Sequence, residues 1–415
     1  MSQVKIASGW GRADPEAPDG FDRAARPGCA PDVTRAAVRA RRVAVVVDER
    51  AMRRGSDQND NVDAPDFADS TPSGVDGGEP RIAVVVNGNA RGVTGELISS
   101  LDQILNGGDL FVSQSLGDAR RIARMLLEKG YDTVLTGGGD GTFTFMVTQM
   151  VREAKRLGYP LPRFGLLKLG TGNALAWVVG ASRYKSGSSA DIRRLHQEAG
   201  SRPMRLVEVE GVIAPFCGFG ADAEVLMDYQ HVRSLLSKTL LRPLSLGRRG
   251  YAISVLTRSF PGYVLRRQPH CRVINEGADA YRLGNKGSLT GPPIPSGEVI
   301  YEGPARIAAL STIPYYGFGF RAFPYAEERS DRMNLRIAGI GVRDFVANFS
   351  AIWRGEYHNP DLVFDYLVES VRVQMDPPTA FQIGGDVHGV RAEVRARLSS
   401  DTIRLVDFYA PPRAA

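Results

Sequence analysis

The chain has 415 residues, a net charge of +6, 43% hydrophobic and 24% charged residues, a balance that excludes a fibrous or membrane-embedded protein and leaves material for a large core. Its three cysteines, Cys29, Cys217 and Cys271, lie far apart without the paired spacing of a disulfide framework or zinc site, which fits a reducing cytoplasm. No run reaches the roughly 18 to 20 apolar residues of a spanning helix, and no apolar stretch follows the first basic residues as in a secretion signal.

Residues 1–80 are rich in Asp, Gly, Pro, Ser, Ala and Arg and lack sustained apolar periodicity, so they are expected to stay disordered. Val43 to Val47 nevertheless reads much like the segment Pro80 to Asn87. Either pattern suits a buried strand, but only the second leads into alternating helices and strands, which places the first true strand at Ile82 to Val86. Apolar runs at Leu110 to Ser113, Thr133 to Thr136 and Phe164 to Leu169 follow, separated by helical stretches such as Asp118 to Lys129 and Thr142 to Leu157. This alternation predicts an α/β domain with a parallel sheet covered on both faces, over 81–204.

After Arg205 the texture changes. Short runs bounded by Gly, Pro and Asp (Arg205 to Val209, Val212 to Cys217, Arg306 to Thr312, Asn334 to Ala338, Ser370 to Met375, Phe381 to Ile383, Thr402 to Val406) predict a mainly antiparallel β-sandwich over 205–410. A helical insert is expected at 222–260, and the last strand is a candidate to return to the first domain.

The strongest local signal is Thr136-Gly-Gly-Gly-Asp-Gly-Thr142, between a strand end and a helix start. Glycines let backbone amides approach an anion, and the helix N-terminus adds its positive end, so the segment reads as a phosphate cradle. It is neither a Walker loop, lacking Gly-Lys-Ser/Thr, nor a dinucleotide fingerprint. Asp140 stands where it could meet a magnesium ion carried by a nucleotide. From Tyr229 to Gln268, eight arginines and lysines alternate with large apolar residues and no acid intervenes. That pattern suits an anionic bilayer surface, and nucleic acid is the poorer partner because no recognised binding module accompanies it.

Gly138-Gly-Asp-Gly-Thr142 resembles the GGDGT signature of lipid kinases and NAD kinases. Leu169-Gly-Thr-Gly-Asn-Ala-Leu-Ala176 resembles the lipid kinase GTxND motif, and Gly218-Phe-Gly-Ala-Asp-Ala-Glu224 a further family segment. Together they are similar to the diacylglycerol kinase and sphingosine kinase family, from about Arg81 to about Ala410. The resemblance implies a soluble cytoplasmic enzyme, peripheral at the inner membrane face, that moves the γ-phosphate of ATP, with Mg²⁺, onto a lipid hydroxyl. It places Asn87, Ser113, Gly138, Gly139, Asp140, Gly141, Thr142 and Thr171 around the nucleotide. It implies a structural magnesium held by Asp331 with Glu328 and Met333 through carbonyls. It puts Asp386, within Gln382-Ile-Gly-Gly-Asp-Val-His-Gly389, at the position of the catalytic base, one methylene shorter than the family glutamate, with His388 a rival. Gly384 and Ala174 stand where the family pattern has aspartates. An NAD kinase and a non-catalytic nucleotide or lipid binder are the alternatives.

Overall fold

The computed structural model describes residues 81–88, 93–104, 109–169, 173–182, 188–196, 200–220, 223–224 and 268–409. The expectations placed on 1–80, on Thr171, on all but the first residues of the helical insert and on the basic stretch lie outside these residues.

Strand β1 (Ile82–Asn87) is buried at every position, as a Val- and Ile-rich central strand of a covered parallel sheet must be. It lies between β2 (Asp109–Ser113) and β3 (Thr133–Gly138), parallel to both. Strand β4 (Arg163–Lys168) continues the parallel set beside β3. Helix α1 (Gly95–Ile104) precedes β2. Helix α2 (Leu116–Glu128) is opened by Ser115, whose hydroxyl accepts from the Asp118 amide at 3.1 Å, an N-cap of the expected type. Helix α3 (Asp140–Leu157) ends on Gly158 in the left-handed conformation, φ 72°, with Lys155 and Arg156 in its last turn, where basic residues complement the helix dipole. Its Phe143 packs edge-on against Phe164 of β4, ring centres 6.5 Å apart.

Two short helices, α4 (Ala174–Val178) and α5 (Ser188–His196), lead into β5 (Gly200–Val209), β6 (Val212–Ala214) and β7 (Phe216–Gly220). The expected single run Val212 to Cys217 is divided at Pro215, whose carbonyl instead accepts from the Thr312 amide at 3.0 Å. Strands β8 (His270–Asn275), β9 (Tyr281–Leu283), β10 (Val299–Pro304), β11 (Ile307–Ser311), β12 (Met333–Ala338) and β13 (Val363–Val368) follow. Helices α6 (Val342–Ala347) and α7 (Phe349–Arg354) precede β13. Strands β14 (Ser370–Ile383) and β15 (Asp386–Asp407) close the fold.

All fifteen strands join one sheet along the path β2-β1-β3-β4-β15-β14-β7-β11-β12-β13-β9, with β5, β6, β8 and β10 as side branches. The joint between the parallel and antiparallel regions is β15, whose 22 residues extend about 70 Å at strand rise. Its start pairs with β14, its later part with β5, and Arg404 and Leu405 run parallel to Arg163 and Phe164 of β4. Two large apolar cores result, with a small third formed by Ala338, Ile340, Ile352 and Val363. One holds β1 to β4 with their helices and receives Leu405, Val406 and Phe408; the other fills the antiparallel half.

Candidate active site

In the strand order β2-β1-β3-β4 the chain leaves β1 toward one side and returns on the other, so the topological switch point lies between β1 and β3. Ligands of open α/β sheets bind in the crevice beyond the strand ends at that point. Six residues expected from sequence meet there: Asn87, Ser113, Gly138, Gly139, Asp140 and Thr142. Asn87 ends β1, buried, with its side-chain amide donating to Thr142 Oγ1 at 3.4 Å. Ser113 ends β2, and its hydroxyl donates to the Val86 carbonyl at 3.4 Å. Gly138 ends β3, and a Cβ there would collide with the Thr142 side chain. Gly139 is the helix cap and Asp140 the first residue of α3, so the loop turns directly into a helix N-terminus.

Asp140 is buried, and its carboxylate oxygens accept from the amides of Ala174 at 2.9 Å and Leu175 at 3.3 Å. Burial raises its pKa, and these amides pull the other way. The side chain thus clamps the glycine loop to the start of α4. Asp140 was expected to face a nucleotide-bound cation; both oxygens are instead directed at backbone amides. Asn173 opens α4 in the left-handed conformation, φ 50°, which asparagine tolerates better than most residues. Ala174 is fully buried, so an aspartate side chain there would enter the core, and this position serves through its amide.

Asp386 reaches the same point from the antiparallel half. Ile383 pairs with Asp386 across Gly384 and Gly385, whose φ values of 57° and 85° are those of a two-residue turn with both central residues left-handed, a geometry that favours glycine. The turn is held by Gly384 N donating to the Phe216 carbonyl at 2.9 Å and by Gly385 N donating to Gln382 Oε1 at 2.9 Å. Gln382, fully buried, donates in turn to the Tyr316 hydroxyl. So held, Asp386 Oδ2 occupies the place a Cβ at Gly141 would need. The base candidate therefore touches the glycine loop. Burial first, and the neighbouring charge of Asp140 second, push its pKa up to about 6. Carboxyls so tuned cluster at sites of proton transfer.

One stripe of α3 fixes this approach. Gly141 meets Asp386 and Thr144 lies against Gly384. Thr148 Oγ1 accepts from Ile213 N at 3.0 Å, and Arg152 donates to the Gly211 carbonyl at 2.8 Å. The spacing of three and four residues puts all four on one helical face. His388 lies two residues beyond Asp386, half-buried, beside a register shift between β14 and β15 at which Gly389 takes φ 84°. Burial lowers its pKa, while Glu210, paired with Arg391 at 2.7 Å, pulls the other way. Lys168, aligned with Gly138 across β3 and β4, lies 4.7 Å from the Trp177 ring centre. Lys168, Gln382 and Tyr316 were not singled out in the sequence. The lysine at a strand end was the one readable signal, since the other two depend on distant contacts.

Residues 81–209 match the model of the diacylglycerol kinase catalytic domain, the stretch that carries the glycine loop and its crevice. Over that stretch, about a third of its length, the chain is similar to the diacylglycerol kinase catalytic domain. Over 95 residues it is 39% identical to a Pseudomonas aeruginosa protein named Probable lipid kinase YegS-like, a match covering 23% of this chain and 28% of that relative's length. Two solved structures from Bacillus anthracis str. Sterne, both assigned as diacylglycerol kinases, share the fold. One has a TM-score of 0.52 at 15% identity, covering 79% of this chain and 97% of its own; the other has 0.50 at 12%, covering 79% and 96%.

The structural magnesium that the diacylglycerol kinase resemblance implies does not suit the residues expected to hold it. Asp331 accepts from both Arg329, at 3.0 and 2.9 Å, and Arg332, at 2.8 Å. Hydrogen bonding to Arg329 is the main cause that holds its carboxyl below the usual range. Two guanidiniums occupy the oxygens a cation would need, and Arg332 is buried. Met333 is paired within β12, and Glu328 N closes a turn on the Tyr325 carbonyl at 3.3 Å. The cradle is different. A nucleotide's own phosphates carry most of the ligands of a magnesium ion and waters fill the rest, so an ion carried there needs little from the protein, and Asp140, whose oxygens accept from backbone amides, adds negative charge rather than a ligand atom.

Proposed function

We propose that the chain is an ATP-dependent lipid kinase, transferring the γ-phosphate to a hydroxyl of a diacylglycerol-like or sphingoid-like acceptor. The observation that carries this reading is the seating of Asp386 against Gly141, which brings a carboxyl whose pKa is pushed up to about 6 to the phosphate cradle. The nucleotide lies in the crevice of Asn87, Ser113 and Gly138 to Thr142, with its phosphates at the start of α3. A magnesium ion carried by those phosphates would supply neutralisation of the charge on the transferring group. Asp386 accepts the proton of the lipid hydroxyl as its oxygen attacks the γ-phosphorus and the bond to the β–γ bridging oxygen breaks. ADP and the phosphorylated lipid leave, and Asp386 returns the proton to solvent. Lys168, beside the cradle, adds positive charge where phosphate oxygens gather.

The test is a radiolabelled-ATP assay with a panel of lipid alcohols that includes NAD as an acceptor. Phosphate transfer to a lipid, abolished in Asp386→Asn while ATP still binds, supports the reading. Labelling of NAD alone would replace it with the NAD kinase alternative, and ATP binding without any transfer would favour a non-catalytic binder.

A further inference from the structure

Most large apolar side chains of the described residues are buried, and half of those exposed gather on one surface. Phe345, Val346, Phe349 and Trp353 on α6 and α7 are 39, 65, 47 and 37% exposed, and Phe318 nearby is 47% exposed. The rings form a continuous file: Phe345 to Phe349 at 5.7 Å between centres, Phe349 to Trp353 at 5.5 Å, Trp353 to Phe320 at 5.3 Å. Hydrogen bonds link the file to the candidate active site. The Arg321 amide donates to the Trp353 carbonyl and the Tyr316 amide to that of Phe320. Tyr316 in turn accepts from Gln382, which holds the turn before Asp386.

We propose that this aromatic surface docks the protein on a lipid bilayer, placing the active-site crevice at the level from which a lipid hydroxyl is taken. The inference rests on the lipid kinase reading. Two arguments choose the bilayer over other occupants. Each helix has six residues, about 9 Å of length, so the pair offers far less than the roughly 800 Å² per partner of a stable dimer. A bilayer needs no matching shape. Most charges beside the rings also cancel: Arg343 adjoins Asp344, and Arg354 pairs with Glu356 at 2.8 Å, which leaves Arg321, against Gly355, as a single positive charge. Docking here is therefore driven by apolar burial, with aromatic rings at the headgroup level, and it needs neither anionic lipid nor low salt. The basic stretch 229–268 would behave oppositely.

The experiment sediments the full-length chain with phosphatidylcholine vesicles at low and high salt, comparing wild type with Phe345→Ser/Phe349→Ser. Phosphorylation of a water-soluble short-chain diacylglycerol, melting temperature and solution mass are measured alongside. Wild type is expected to bind at both salt levels. The variant is expected to bind roughly tenfold or more weakly, since two part-buried phenyl groups are lost, with unchanged activity on the short-chain lipid. The proposal is overturned if wild type ignores these vesicles, if the variant binds them equally, or if binding requires anionic lipid and vanishes with salt. It is overturned equally by a wild-type dimer that the variant dissolves, which would assign the face to a second copy. A lower melting point with vesicle binding unchanged would assign it to the chain's own 225–267 segment. If vesicle binding falls in the variant yet no lipid is ever phosphorylated, the docking surface stands and the kinase reading fails.

Discussion

Asp386→Asn separates chemistry, binding and stability in one variant. The carboxyl titrates at about 6 in the folded chain against an ordinary value of 3.8, so the folded state binds its proton more tightly than the unfolded state does. Below pH 3.8 both states are protonated and the residue makes no difference. Between 3.8 and about 6 an increasing part of the unfolded population is ionised while the folded site resists, and folding is penalised. Above about 6 the penalty is complete. At about 1.4 kcal/mol per pKa unit, the shift corresponds to roughly 1 to 3 kcal/mol, the lower figure allowing for the part of Asp386 that solvent still reaches. Asparagine carries no charge at any pH, so Asp386→Asn should be more stable than wild type by that amount at pH 8 and equal to it near pH 3.5, measured by denaturant titration at both. Its turnover should fall by about 10² to 10⁴, as for loss of a positioned base, with ATP affinity nearly unchanged. In the wild type, kcat/KM should fall as pH drops through about 6, because the base must be unprotonated. A stability difference that is the same at both pH values, or full activity in the variant, would refute the assignment.

Gly141→Ala places a methyl group on the Asp386 carboxyl and is expected to lower turnover by about a hundredfold, as for a displacement of roughly 1 Å, while the chain remains folded by circular dichroism. Asp140→Asn removes one of two acceptors facing the Ala174 and Leu175 amides, at about 1 to 3 kcal/mol of stability. Because the charge of Asp140 helps raise the pKa of Asp386, the acid limb of the pH–rate profile should move to lower pH in that variant. Chelation by EDTA in the absence of nucleotide should leave the melting temperature unchanged, since Asp331 is held by Arg329 and Arg332; a fall of several degrees would restore a structural cation at that place.

The parallel half was legible because its signals are local. Val- and Ile-rich strands alternate with helices, and the four strands expected at Ile82, Leu110, Thr133 and Phe164 all form, with ends displaced by one or two residues. The glycine loop was readable for the same reason. The antiparallel half was read less completely. Ser370 to Met375 and Phe381 to Ile383 belong to one strand, because Asp376 to Pro378 are carried in an exposed irregularity where missing donors do no harm. Helices α6 and α7, at six residues each, are too short to show a period. The clamp from Asp140 to α4 joins residues 34 positions apart, and the contact of Asp386 with Gly141 spans the whole antiparallel half. No spacing announces either. The pairing of Asp331 with two arginines also lay beyond a motif that names only the carboxylate.

The shorter carboxylate at the base position is where motif and geometry must be reconciled. If the turn stood where a glutamate is required, Asp386 would fall short of the loop by about the 1.5 Å of one carbon–carbon bond. Instead its Oδ2 already lies in the space above Gly141 Cα, and its Cγ would be 3.2 Å from a Cβ placed there. The approach is fixed from behind: Gly384 is so close to Thr144 that a Cβ at 384 would come within 2.6 Å of Thr144 Oγ1. The turn therefore sits closer to α3 than one bearing a side chain at 384 could, and the aspartate reaches because the glycine before it lets the strand advance. Asp386→Glu should accordingly lower turnover, since the added methylene has to fold back or drive the turn away, and it should leave nucleotide affinity intact. Gly384→Ala added to Asp386→Glu pushes the turn back and is expected to recover part of the loss, while in wild type the same change should reduce activity. That reversal of sign, read in a four-variant cycle of kcat, is the signature of a reach compensated by the backbone. If Asp386→Glu turns over faster than wild type with Gly384 in place, the compensation is incomplete and the close approach of the turn is not what sets the base.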